Sequence, residues 1–300
     1  MTNTNFDPAK YLLQDGLSIR EYQLKNLEIF KYFDKFCREH DIVYYFNGGA
    51  LLGALRHGGF IPWDCDIDVF LHRKDYERLG ELWNRYADTE HYSYERTTKD
   101  YNMHAQCAGI KDNHTTYIRK HNVDCDINHG IMLDILPLDY LSDNKIKYLF
   151  QKINALVFAL FNAQRLPNQQ GKTIRMLANI ILSVFRSNNI RYKIWKSAEK
   201  NFSRYQEADC TYLGELTAGV YQTKLKYCKG WFMAPKEIQF EDMTVLAPTE
   251  PEKYLNARYG NFMELPPKDK QVPMMIPAFI DINTPYKVYK GIHYCMRDGK

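Results

Sequence analysis

Residues 47–70, NGGALLGALRHGGFIPWDCDIDVF, constrain this chain more than any other stretch. The glycine pair Gly48-Gly49 opens an apolar run, and Arg56-His57-Gly58-Gly59 closes it. Asp64, Asp66 and Asp68 then alternate with Cys65 and Ile67 and run into Val69-Phe70. Alternation with period two is strand periodicity, which sets the three carboxylates on one face and Cys65 on the other. Like charges crowded on one face cost free energy unless a cation or protons share the site. A divalent metal holding a phosphorylated substrate is the economical explanation.

The neighbouring residues supply a frame for that face. The spacing predicts a helix over 18–40, capped by Ser18 with Glu21 three positions on, and with an apolar face of Leu24, Leu27, Ile29, Phe30, Phe33 and Phe36. Ile42–Phe46 reads as the first strand, 47–49 as a turn and Ala50–Arg56 as a short helix. The first-turn N–H groups of that helix can meet an anion, and Gly58 or Gly59 can take the left-handed conformation that ends it. Asp75–Tyr86 reads as a second helix and 92–135 as strand and loop, ending in the apolar run around Asp134. The fold class expected is α/β (α+β), a mixed sheet flanked by helices.

Beyond about residue 141 the composition changes. Lys145–Leu166 and Ile174–Lys200 read as helices, the second kinked or broken at 187–189, with a linker over 166–171. Basic residues dominate there and acids are almost absent. Either a packed helical subdomain with a solvated basic side or an interfacial surface explains that pattern. The segment from 230 reads as extended pieces wrapping a core. Domains are therefore expected at 1–140 (catalytic core), 141–229 (helical, basic) and 230–300 (completing the core and the acceptor side). No apolar leader opens the sequence and no run of 18 apolar residues marks a membrane span, so a cytoplasmic protein is expected. Seven scattered cysteines read as reduced, mostly buried thiols. The net charge of +4 is mild; it suits anionic substrates, and no nucleic-acid partner is expected.

Residues two apart on a strand sit about 6.5–7 Å apart, so Asp66 and Asp68 can converge on a metal. Asp134, flanked by apolar residues, needs a partner or a role and is the best third carboxylate. Oxygen-only ligation favours Mg2+ or Mn2+. Gly48 and Gly49 let the backbone approach phosphate closely. Arg56 and His57 either touch phosphate or close the loop, and Lys111 and Arg119 are either phosphate contacts or solvated surface. A calcium loop is excluded because Val69 follows Asp68 where a glycine would be needed. QGKT at 170–173 lacks the upstream glycines of a P-loop. His104, Cys107, His121, Cys125 and His129 have permissive zinc spacings but no finger-like framework.

GGALLGALRHGGFIPWDCDIDVF resembles the signature of the LicD family of phosphotransferases, which includes fukutin-related proteins. HGIMLDILPLD (129–139) and YLNARYGNFMELPP (254–267) resemble that family's later blocks. The resemblance implies a nucleotidyltransferase-like fold with an added helical subdomain. It implies a CDP-activated donor and a glycan acceptor, lipid-linked or not. It further implies transfer of phosphocholine from CDP-choline, or of a polyol phosphate, with release of CMP. By the same resemblance Gly48 and Gly49 match the glycine pair; Asp66, Asp68 and Asp134 match the metal carboxylates; and Asp64 matches an acid that binds metal or serves as base. Cys65 departs from the aspartate many bacterial members carry. A nucleotidyltransferase releasing pyrophosphate and a non-catalytic carbohydrate-binding protein are the alternatives. Tyr44, Tyr45, Trp63, Tyr117, Tyr140, Trp231 and Phe232 are the aromatic residues on hand for a quaternary ammonium.

Overall fold

A computed structural model describes residues 7–14, 16–164, 172–219, 222–273 and 276–296. The expected linker at 166–171 lies outside them. The chain divides into two compact units, one of Met1–Tyr94, Gly109–Ile135 and Gly230–Lys300, the other of Glu95–Ala108 and Leu136–Lys229.

In the first unit, strands β1 (Leu12–Gln14) and β2 (Leu17–Ser18) form a small ribbon ahead of helix α1 (Ile19–Glu39). The capping box is complete: the Glu21 carboxylate accepts from Ser18 N–H at 2.8 Å, and Ser18 Oγ accepts from Glu21 N–H at 3.2 Å. The buried face of α1 is the expected one except for Leu24, which is exposed. Phe30 meets Phe46 edge-on at 4.9 Å, and Phe46 meets Phe240 at 5.0 Å, so the helix is seated by aromatic packing.

Strand β3 (Tyr44–Phe46) pairs antiparallel with β4 (Asp68–His72), Phe46 opposite Val69. Between them runs helix α2 (Gly48–His57). It starts two residues before the expected point, so the glycine pair is the helix's first turn rather than a turn ahead of it. Gly58 ends it with φ +74°, as its lack of a Cβ allows. Helix α3 (Arg73–Tyr86) follows; then β5 (Tyr92–Glu95) pairs with β6 (Ala108–Asp112), β6 with β8 (Ile131–Leu141), and β8 with β4. Strand β7 (Thr116–Ile118) pairs instead with a late strand, β13 (Phe279–Asp281).

In the second unit, helix α4 (Lys145–Ala163) lies on α6 (Asn188–Ser203), with Ala155, Phe158 and Phe161 packed with Trp195, Ala198 and Phe202. Helix α5 (Lys172–Val184) ends before the expected break. The buried Gln151 ties the unit together, donating to Tyr140 O and Phe202 O and accepting from Ser142 N–H. The end of β8 pairs antiparallel with β9 (Tyr212–Gly214), and β9 with β10 (Tyr227–Cys228).

Residues from 230 belong to the first unit and are not all extended. They form the hairpin β11 (Lys236–Phe240)–β12 (Met243–Ala247) and helix α7 (Pro251–Tyr259), with Pro251 in its first turn, where a missing N–H costs nothing. The architecture is a mixed α/β sheet flanked by helices with an additional helical region, as expected. All seven cysteines are free; Cys37, Cys65 and Cys210 are buried and the other four half-buried.

Candidate active site

The strand expected through Asp64–Phe70 begins only at Asp68. Residues 62–63 turn, closed by Asp64 N–H donating to Ile61 O at 2.9 Å, and 64–67 follow without a regular ladder, with α1 bonding their carbonyls. Gln23 Nε2 donates to Asp64 O at 2.7 Å and Ile61 O at 3.3 Å, and Asn26 Nδ2 donates to Cys65 O at 3.0 Å. Both side chains are buried, which is the requirement for satisfying carbonyls away from water. Period-two alternation survives without the ladder: Trp63, Cys65 and Ile67 are buried, while Asp64, Asp66 and Asp68 are partly exposed.

The three acids and Asp134 face one another. Burial pushes each of the four carboxyls above its ordinary range, Asp66 up to about 8. Asp64 and Asp66 hydrogen-bond to each other, so one of them keeps its proton. Asp68 feels Asp66, Asp134 and Asp64; Arg258 partly offsets that repulsion. Asp134 hangs from β8, whose backbone N–H donates to Ile67 O at 3.4 Å. Its Oδ1 is buried with no hydrogen-bond partner among the described residues, and its Oδ2 lies 3.7 Å from Arg119 Nη2. An orphaned oxygen beside carboxyls whose charge is disfavoured by burial and mutual repulsion is a donor set a hard cation fits.

The start of α2 closes on this cluster. A Cβ on Gly49 would stand 2.3 Å from Asp64 Oδ2. Gly48 has φ +53°, and a Cβ there would stand 3.4 Å from Tyr259 Oη and 3.8 Å from Asp68 Oδ2. Asn47 precedes the helix but does not cap it. Its Oδ1 instead accepts from Tyr254 Oη at 2.7 Å, and Tyr254 Oη accepts from Gly48 N–H at 3.2 Å. Helix α7 thus brings Tyr254, Arg258 and Tyr259 to the site. These three were not among the residues singled out from the sequence, although the YLNARYG block contains them.

The cationic candidates separate. The Arg56 guanidinium is buried and donates to Phe262 O at 2.8 Å and Glu264 O at 3.2 Å, which makes it a loop tie. His57 is half-buried against Trp63, and burial with the adjacent Arg56 pushes it down to about 4, so it is neutral at pH 7. Lys111 is not solvated surface: it is buried, donates to Asn128 O and lowers the Asp134 carboxyl. Arg119 stands beside Asp134 and lowers Asp66 as well. Among the aromatic residues, Tyr44, Tyr45 and Phe232 are core, with Tyr44 Oη donating to Asp34 and Tyr45 Oη to Phe232 O. His104 and His129 each meet a backbone carbonyl, of Ala163 and Cys125.

A separate candidate metal triad, unforeseen in the sequence, consists of His91, Asp112 and His114, with one ligand atom of each within 4.8 Å of the others. The buried Asp112 Oδ1 accepts from His114 N–H at 2.9 Å and lies 3.3 Å from His91 Nε2. Two imidazoles and a carboxylate suit a borderline ion such as Zn2+ better than Mg2+. Asp112 and His114 stand two apart at the turn after β6, but His91 comes from before β5, so no spacing motif revealed the three together.

Residues 41–128 match the family described as LicD/FKTN/FKRP, nucleotidyltransferase domain. A lipopolysaccharide cholinephosphotransferase of Haemophilus influenzae is 29% identical over 269 residues, 86% of this chain and 96% of the relative. The human ribitol 5-phosphate transferase FKRP is 27% identical over 145 residues, which are 45% of this chain and 27% of that protein. The yeast mannosyltransferase regulator 4 is 26% identical over 161 residues, 13% of its length.

Proposed function

We propose, for this chain with its LicD-family nucleotidyltransferase domain, that it transfers phosphocholine from CDP-choline to a hydroxyl of a cell-surface glycan precursor, with CMP as the leaving group. The observation that carries the reading is the convergence of Asp64, Asp66, Asp68 and Asp134 at the start of α2. The choline headgroup is favoured because the Haemophilus cholinephosphotransferase aligns over nearly its whole length, whereas the ribitol phosphate transferase aligns over about a quarter of its own.

Asp66, Asp68 and Asp134 would hold Mg2+ or Mn2+. Such an ion neutralises phosphate oxygens and favours departure of a nucleotide. Asp64, hydrogen-bonded to Asp66, accepts the proton of the attacking hydroxyl or joins the ligand set. The Gly48 N–H is taken by Tyr254 Oη, so the Gly49 N–H and the next first-turn N–H groups, with the positive end of α2, hold the diphosphate. Asp64 leaves room there for no side chain at Gly49. Arg119 positions Asp134, and Arg258 partly shields Asp68 from the remaining negative charge. Work in the cytoplasm follows from the donor, which is made there.

Incubation of the purified protein with CDP-choline, CDP-ribitol and CDP-glycerol and a matched glycan acceptor tests the reading. Acceptor-dependent CMP release, greatest with CDP-choline, is expected. Preference for a polyol donor would move the substrate, and pyrophosphate release from a nucleoside triphosphate would replace the reaction class.

A further inference from the structure

Helices α4 and α5 carry more apolar surface than their packing uses. One face of α4 is spent on α6 through Ala155, Phe158 and Phe161. Yet Ile146, Leu149, Phe150 and Ile153, spaced one turn apart, point to solvent, Ile146 being 68% and Phe150 59% exposed. In α5 only Ala178 and Leu182 are buried among the described side chains. Met176, Ile180 and Val184 stand four apart with Leu177 and Ile181 beside them, Val184 69% exposed. A water-soluble helix would normally put polar groups at these positions.

The charges within this stretch have one sign, with the exposed Asp143 directly ahead of it. Residues 144–198 contain ten Lys or Arg and no Asp or Glu. Lys145, Lys147, Arg175, Arg186 and Lys193 are exposed. Arg191 is not part of the available charge: it donates to Phe185 O, Leu182 O and Gln164 Oε1 and fixes the α5–α6 turn. No described helix is long and apolar enough to cross a membrane. An apolar stripe rimmed mainly by cations, on helices not long and apolar enough to span, is matched in chemistry by an anionic bilayer surface.

We propose that the exposed faces of α4 and α5 form a peripheral docking surface for anionic lipid membranes, with Ile146, Phe150, Ile153, Ile180 and Val184 entering the headgroup–acyl boundary and the lysines and arginines lying over the anionic headgroups. This surface does not depend on the catalytic reading, since none of its residues lies in the acidic cluster.

The test uses the full-length protein with vesicles of pure phosphatidylcholine and of phosphatidylcholine with about a third phosphatidylglycerol, sedimented at low and high salt. Expected is binding to the anionic vesicles, at least tenfold weaker on neutral ones and weakened by salt. Two double variants, Phe150→Glu with Ile153→Glu and Ile180→Glu with Val184→Glu, are each expected to lower partitioning at least tenfold. Because these side chains are exposed, the melting temperature should stay within a few degrees. If one variant fails to fold, the pair on the other helix decides. Absence of binding to anionic vesicles at low salt overturns the proposal. So does equal binding by both folded variants. Dimerisation lost in the variants, without vesicle binding by the wild type, would assign the face to a second copy and overturn it likewise.

Discussion

Replacing Asp66 by asparagine should stabilise the metal-free protein, and by an amount that grows with pH. Burial and the facing Asp64 push the Asp66 carboxyl from 3.8 to about 8. An acid with a raised folded pKa binds more protons folded than unfolded, so its effect is harmless below the unfolded value near 4 and destabilises progressively as pH rises toward the folded value. Each extra proton held by the native state lowers stability by about 1.4 kcal/mol per pH unit. From pH 5 to pH 8 that amounts to ~4 kcal/mol as an upper figure. Asparagine keeps the shape and can still donate to Asp64, so the hydrogen bond survives. The measurement is thermal unfolding of EDTA-treated wild type and Asp66→Asn at pH 5 and pH 8. At pH 5, about one unit above the unfolded value, the variant should already melt higher by about 3–7 °C. At pH 8 that lead should be larger by up to about 8–16 °C, at the 2–4 °C per kcal/mol expected for large domains. Added Mg2+ should raise the wild type and leave the variant almost unmoved. A variant that tracks the wild type at both pH values, or melts lower at pH 8, would refute the picture of four mutually repelling carboxyls.

Four other outcomes follow from named contacts. Gly53→Ala places a Cβ 2.4 Å from Gly59 O and 3.0 Å from Ile61 N, backbone atoms that cannot rotate away, and should cost about 1–3 kcal/mol in urea unfolding; Gly49→Ala meets only the Asp64 carboxylate and should lose most activity while keeping its urea midpoint. Tyr254→Phe strands Asn47 Oδ1 and Gly48 N–H and should cost about 1–3 kcal/mol while lowering turnover, read by unfolding and CMP release. Against the upward push of its burial, Glu241 is held below its usual range by a two-point Arg20 contact and the Phe60 N–H, so stability it supplies above pH ~4.5 should fade as pH drops, and Glu241→Gln should flatten that slope. Zn2+ should raise the melting temperature of the wild type, and His114→Ala should abolish that rise without changing the Mg2+ response.

What could be read from the sequence depended on whether the signal was local. The α1 capping box is three residues wide and formed as written; the left-handed end of α2 needed only Gly58. The acidic run kept its alternation because extended backbone turns side chains over every residue whether or not a neighbour strand is bonded to it. That those residues are not a strand depended on Gln23 and Asn26, two polar positions on a helix otherwise read for its apolar face. A buried amide at such a position has to bond something, and about 40 residues downstream it found the carbonyls of Asp64 and Cys65. Arg56 and Lys111 show the converse: a cation looks like a ligand contact in sequence, yet Arg56 is buried against the carbonyls of Phe262 and Glu264 and Lys111 against that of Asn128.

Helix α7 is the most consequential long-range part. Its own apolar pattern is weak, so YLNARY gave no strong helical signal. Yet Tyr254 Oη takes both the Asn47 side chain and the Gly48 N–H, and Arg258 and Tyr259 come within reach of Gly48 and Asp68. Consequently the α2 start cannot keep its geometry if 251–259 unfolds. Truncating the chain at residue 250 should therefore abolish activity even though all four acids remain. A truncated protein that folds and turns over CDP-choline normally would show that the Asn47–Tyr254 bond and the Arg258 charge are dispensable. It would return the whole site to residues 48–68 and Asp134.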